Sequence, residues 1–125
     1  MSWDQYVSKQ LVETGNVKMG AICGLDGSVW AASPNLNVTQ NEAKTIATSI
    51  GTDNFSTNGV VLNGEKYVFL SGEEGTVRGR KGKKGVHITK TNTAIIIGLY
   101  EEPITPGSCA CTVESLADYL KSLNY

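Results

Sequence analysis

Nine aromatic side chains occur in the 125 residues, and their placement is uneven. Trp3 and Tyr6 lie at one end of the chain, Tyr119 and Tyr125 at the other, and Trp30 in a short β-prone run. If the two terminal segments are helices packed on one face of a sheet, these rings can converge. A flat apolar patch edged by Trp N–H and Tyr O–H groups suits peptides in the polyproline II conformation. Such peptides have carbonyls free for hydrogen bonding and a ridged apolar surface. The competing reading, which composition alone favours, is that the rings fill core space beneath the helices.

A second cluster is basic. The stretch TVRGRKGKKGVHITK holds Arg78, Arg80, Lys81, Lys83, Lys84 and Lys90, six of the eleven basic residues, and no acid lies between Glu74 and Glu101. On a hairpin, alternation puts Arg78 and Arg80 on one face and Lys81 on the other, and the turn adds Lys83 and Lys84. Lysines of this kind protect a sheet edge from aggregation. They also suit an acidic protein, an anionic lipid headgroup or nucleic acid.

Other signals are weaker. Gly79, Gly82 and Gly85 match neither phosphate-binding fingerprint, and no helix follows them. Cys109 and Cys111 on a helix point in different directions with no third ligand nearby, so no metal is expected. His87, the one histidine, reads as an exposed hairpin residue. A single histidine leaves little room for a histidine-based triad or a multi-histidine metal site. With no nucleophile–base–acid set, no catalytic residue, no cofactor and no enzyme activity are expected.

Composition bounds the rest. Hydrophobic residues are 40% and charged residues 18%, as in an ordinary globule, and the net charge of −1 excludes an overall basic coat. The length fits a single domain spanning 1–125. Three cysteines are too few for a disulfide framework, so a reducing, intracellular setting is expected. The N-terminus does not read as a secretory signal, and the longest apolar run, Ala94 to Tyr100, is far short of the ~20 residues a membrane helix needs.

The elements that must position these residues can be read in order. Ser2 caps a helix over Trp3 to Glu13, stopped by Gly15, with Val7 and Leu11 facing the core. Gln10 continues the row of Trp3 and Tyr6 toward solvent. Strands are expected at 17–23 and 28–33 around the Asp26-Gly27 turn. Thr39 and Glu42 form a capping box for a helix at 40–50, ended by Gly51. Residues 51–58 read as a polar loop. Five strands follow at 59–62, 65–71, 76–80, 86–90 and 94–100, linked by Asn63-Gly64, Gly72–Gly75, Gly82–Gly85 and Thr91–Thr93. Short links force an antiparallel meander. Ala94–Tyr100 is apolar on both faces and should be covered on both. Thr105 and Pro106 open a last helix running to about Leu123, with Val113, Leu116, Ala117 and Leu120 as its core stripe and Tyr119 at the edge of that stripe. The expected fold class is α+β: a central antiparallel sheet of about seven strands, terminal helices on one face and a further helix on the other.

These residues resemble those of the profilin family over essentially the full chain. SWDQYV, LDGSVWA, VRGRKGKKG, IIIGLYEEPITPG and ADYL resemble profilin segments in the right order and spacing. The compact length and YEEPITPG look more like plant and amoeboid members than vertebrate ones. The resemblance implies a cytoplasmic protein of the actin cytoskeleton and cell cortex. It would bind monomeric actin, promote its nucleotide exchange, regulate polymerisation, and bind proline-rich segments of formins and related factors as well as phosphoinositides.

Carried over by position, the resemblance implies a polyproline site of Trp3, Tyr6, Trp30, Tyr119, Leu120 and Tyr125. The implied actin contacts are Lys66, Arg78, Arg80, Lys81, Lys90, Thr105, Gly107 and Glu114. The implied phosphoinositide contacts are Arg80, Lys81, Lys83 and Lys84. Lys83 and Lys84 stand where similar profilins often have small residues, and the Cys109/Cys111 pair and residues 51–58 have no clear counterpart. The alternative function is a small basic-hairpin domain that binds nucleic acid, although no nucleic-acid partner is expected under the profilin resemblance.

Overall fold

A computed structural model describes residues 3–34, 36–50, 52, 54–73 and 75–125. Seven strands form one antiparallel sheet in the order β2-β1-β7-β6-β5-β4-β3. They are β1 (Met19–Gly24), β2 (Val29–Ala32), β3 (Val60–Leu62), β4 (Glu65–Glu73), β5 (Thr76–Lys81), β6 (Lys84–Lys90) and β7 (Ala94–Glu101). The expected meander from β3 to β7 is present, and β1 closes onto β7 by pairing Ile22 with Ile96.

Helix α1 starts as an α-turn over Trp3–Gln5, widens to π winding over Tyr6–Leu11, and tightens to a 3-10 turn over Val12–Thr14. Its i→i+5 section buries Tyr6, Val7 and Leu11 together. Gly15 stops it with φ +81, a left-handed conformation that glycine adopts without a Cβ clash. The expected Ser2 cap and the Gly51 stop of the second helix lie outside the described residues, as does Glu74 in the turn between β4 and β5. Helix α2 (Gln40–Ser49) has the expected capping box.

Two expectations are corrected. Residues 54–58 are not a loop but a short helix, α3 (Asn54–Asn58). Phe55 supplies the reason: it is 3% exposed and stacks on Phe69 at 6.1 Å, while the Asn54 amide bonds Ser49. One buried ring outweighs a polar composition. The four-residue turn at 82–85 is two residues long, because Lys84 and Gly85 already pair with Lys81 and Arg80.

Two apolar layers sandwich the sheet. On the α2 side lie Ile46, Phe55, Tyr67, Val77, Ile88, Ile95 and Ile97. On the other side α1 and helix α4 (Pro106–Ser122) pack Val7, Leu11, Val113, Leu116 and Leu120 over Ile22 and Ile96. β7 feeds both layers by alternation, so it is buried on both faces as expected. Helix α4 lies close to the sheet because Gly98 has no side chain: a Cβ there would sit 2.5 Å from Val113 Cγ2 and 3.2 Å from Cys109 Sγ. Gly98→Ala should therefore destabilise the protein by about 1–3 kcal/mol through overpacking, more than the ~0.5–1 kcal/mol recovered by removing a strand glycine. Equilibrium urea unfolding checks this, with a lower midpoint at unchanged slope as the expected result.

Candidate functional site

The five terminal and β2 aromatics do converge. Trp3 is the hub: its ring centroid lies 4.7 Å from Trp30, 5.0 Å from Tyr125 and 5.5 Å from Tyr6. Tyr6 continues to Tyr119 at 6.1 Å. The cluster is neither pure core nor loose surface. Tyr6 is 8% exposed, Trp3 and Trp30 are half-buried, and Tyr119 and Tyr125 are 51% and 42% exposed. Leu120, expected in the same site, is fully buried and packs in the layer beneath α1 and α4 rather than at the surface.

The end of α4 explains how Tyr125 reaches Trp3. Asn124 adopts φ +68, its N–H bonds the Lys121 carbonyl, and the Tyr125 N–H bonds the Leu120 carbonyl. This paired reversal is a Schellman motif, with Asn in the left-handed position. The Tyr125 main-chain oxygen then accepts bonds from the Thr93 N–H at 2.6 Å, the Thr91 hydroxyl at 2.8 Å and the Thr93 hydroxyl at 2.9 Å. Sequence reasoning read Thr91–Thr93 only as a turn. Its two hydroxyls flanking Asn92 were the available signal.

A second surface arises where the helices run out. Layer α1/α4 covers β1, β2, β6 and β7 and reaches β5 at Thr76, whose hydroxyl bonds Glu114, while the outward side of β3, of β4 and of the rest of β5 is more open. There Val61, Val68 and Leu70 are 45%, 66% and 57% exposed. Alternation places Lys66, Arg78 and Arg80 on that side. Leu70 and Arg78 line a hollow of about 140 Å³ with Pro106, Gly107 and Ala110 at the start of α4. Thr105, which caps α4 by accepting the Ser108 N–H, is exposed next to Pro106. Lys81 and Lys90 are not brought here: they stand at even spacing from Val77, Val86 and Ile88 and so share their face, on the α2 side of the sheet.

The hairpin tip is less positive than its sequence. Arg80 pairs with Glu102 at 3.2 Å, and Lys84 and Lys81 share Glu65 at 3.2 and 3.6 Å on the opposite face. Lys83 sits exposed in the turn. These pairs are solvent-exposed and worth about 0–1 kcal/mol each, so a stronger anion can displace them.

His87 is corrected outright. It is 2% exposed, and its Nε2 lies 2.9 Å from Glu114 Oε1 on α4. Alternation turns it under α4, and the neighbouring lysines in sequence hid that burial. Glu114 also accepts from the Thr76 and Thr89 hydroxyls. Burial lowers the imidazole's proton affinity below its ordinary 6.5, against the opposing pull of Glu114 and with help from Arg78. The neutral ring therefore donates Nε2–H to the carboxylate. Burial alone would raise the Glu114 carboxyl, but the Thr89, His87 and Thr76 hydrogen bonds hold it below its ordinary 4.5. Both shifts have one sign. The unfolded chain binds more protons in each window, so stability is complete above pH 6.5 and declines as pH falls through the lowered His87 value, then again below 4.5. Thermal melts should show Tm falling on acidification below 6.5, and His87→Gln should flatten the first decline while leaving the second.

Cys109 and Cys111 diverge as expected, the first buried and the second exposed. Among the described residues no group of three or more His, Cys, Asp or Glu is arranged to hold a metal ion.

Comparison with known proteins closes the question of ancestry. Residues 1–125 match the profilin family model. A profilin of Branchiostoma belcheri is 50% identical over 96% of both chains, and profilin-1A of Acanthamoeba castellanii is 43% identical over 96% of both. The solved structure of Acanthamoeba castellanii profilin IB superimposes with a TM-score of 0.95 at 42% identity, covering 99% of this chain and all of that one. Mouse profilin IIa, solved in complex with a double repeat from the FH1 domain of mDia1, shares the fold at a TM-score of 0.80 and 21% identity, over the full length of both chains. Full-length sequence identity, sheet order and helix placement agree, and the chain belongs to the profilin family of actin-binding regulators.

Proposed function

We propose that this protein holds an actin monomer on the open β3–β5 face while its aromatic cluster holds a proline-rich segment, so that one molecule connects the two. The observation that carries this reading is the ring cluster itself. Rings from both chain ends and from the edge strand β2 meet around Trp3, and two remain open to solvent. A pure core would close over them. The FH1 complex of mouse profilin IIa is in keeping with proline-rich segments of formins as the ligand class.

Helix α4 separates the two surfaces. Ala110 borders the hollow and Tyr119 ends the cluster, nine residues or about 14 Å apart along the helix. Both ligands can therefore be held together. On the open face, apolar Val61, Val68 and Leu70 supply contact area, and Lys66 and Arg78 supply attraction to an acidic actin surface. Thr105 and Gly107 border that face, and Glu114, held by His87 with its side chain 39% exposed, is the further contact on α4. Nucleotide exchange on actin and its delivery to growing filaments follow as consequences of that docking, in the cytoplasm and at the cell cortex. Phosphoinositide headgroups would engage the exposed Lys83 first, then compete with Glu102 and Glu65 for Arg80, Lys81 and Lys84.

Two substitutions should dissociate the activities. Trp3→Ala removes the ring that three others touch, and such anchors are worth ~2 kcal/mol or more, so affinity for poly-L-proline should fall at least about tenfold with actin binding kept. Lys66→Glu combined with Arg78→Glu should weaken actin binding and flatten its salt dependence, with poly-L-proline affinity unchanged. Tryptophan fluorescence and actin anisotropy read the two. Loss of both activities in either folded variant would refute the assignment of separate surfaces.

A further inference from the structure

The aromatic track does not end at Tyr119. Tyr119 also lines a groove of about 390 Å³ that continues along the seam between α1 and α4. On α4, helical spacing explains the continuity. On α4, Ser115 and Cys111 stand four and eight residues before Tyr119. On α1, Gln10 and Thr14 follow Tyr6 at the same intervals, and all four line the groove. Leu116 forms its floor. At its far end the Asn16 amide bonds Thr112 Oγ1 at 3.1 Å and ties α1's exit to α4.

The chemistry changes along this seam from rings to neutral donors. Among the described residues no Lys, Arg, Asp or Glu side chain lines the groove. Thr14 spends its hydroxyl on the Leu11 carbonyl, and Gln10, Thr112, Ser115 and Tyr119 bring further donor groups to the groove. A polyproline II chain makes no internal hydrogen bonds, so its carbonyls need such donors. The aromatic row, stepped at 5.0, 5.5 and 6.1 Å, is covered by about six prolines at ~3.1 Å each. Tyr119 belongs to both, so the groove opens where the row ends.

We propose that this groove is a second section of the proline-rich binding track, which takes the uncharged residues flanking a proline run and adds affinity and direction to ligands longer than the row. The inference rests on the aromatic cluster binding proline-rich chains, and the two are separable by experiment. Cys111 lines the groove and is exposed, whereas Cys23 and Cys109 are buried, with burial pushing each thiol up to about 12. A disulfide reagent therefore modifies Cys111 in the native protein, and its rate reports the groove, while tryptophan emission reports the row.

The probes are oligoprolines of about six and about twelve residues. Both should shift the emission. At about 100 times its Kd, the longer one leaves about one per cent of the protein free and should slow Cys111 modification more than tenfold. The shorter one should leave that rate unchanged. Gln10→Ala should weaken the longer peptide by roughly two- to tenfold, the worth of one hydrogen bond, and leave the shorter one alone. An emission shift with Cys111 unprotected by the longer peptide, or equal protection by both, overturns the groove and spares the row. No emission shift with either peptide removes the row and this proposal together.

Discussion

A shortage of helix governs this molecule. A seven-stranded sheet has two faces to bury, and the chain supplies two substantial helical segments, α1 and α4, for one of them. They lie side by side over β1, β2, β6 and β7, and beyond Thr76 the same side of β3–β5 is left largely open. Both candidate surfaces descend from that arrangement. The uncovered strands expose Val68 and Leu70 beside basic residues. The seam between the two helices gathers rings from opposite chain ends. Burial of Ile96, Leu11, Val113 and Leu120 holds the seam in place, and apolar burial of this kind is worth about 1.5–3 kcal/mol per large side chain.

The Tyr125 anchor shows how a surface ring is held. An exposed tyrosine gains little from burial, so its position needs polar restraint. Three donors from Thr91 and Thr93 on one main-chain oxygen supply it, together with the helix-ending bonds to Leu120 and Lys121. Each such bond is worth about 0.5–1.5 kcal/mol net. Together they outweigh the conformational entropy of a chain end and keep the ring at 5.0 Å from Trp3.

Much of this was legible in the chain because local signals agreed with the global fold. The Thr39–Glu42 capping box, the Asn63-Gly64 turn and the Thr105-Pro106 start each form where the residues place them. The gathering of five rings followed from putting both terminal helices on one face. What escaped depends on distance in space. His87 is a hairpin residue by its neighbours in sequence, yet α4, which begins only at Pro106, buries it and sets Glu114 against it. The basic run looks unopposed until Glu65 and Glu102, remote in sequence, fold against it. Phe55 sits among polar residues, and only its partner Phe69 makes it core. Alternation separates Arg78 from Lys81, and the structure keeps them on opposite faces of the sheet, so the residues that the resemblance implies do not all share one face.

The central claim is that two ligands occupy opposite ends of α4 without sharing atoms. The most direct test is the affinity of the native protein for poly-L-proline, read by tryptophan emission, alone and under saturating monomeric actin. Separate surfaces predict a coupling free energy near zero and a Kd unchanged within about twofold. Loss of poly-L-proline binding as actin is added would mean that the surfaces overlap, and would contradict the account.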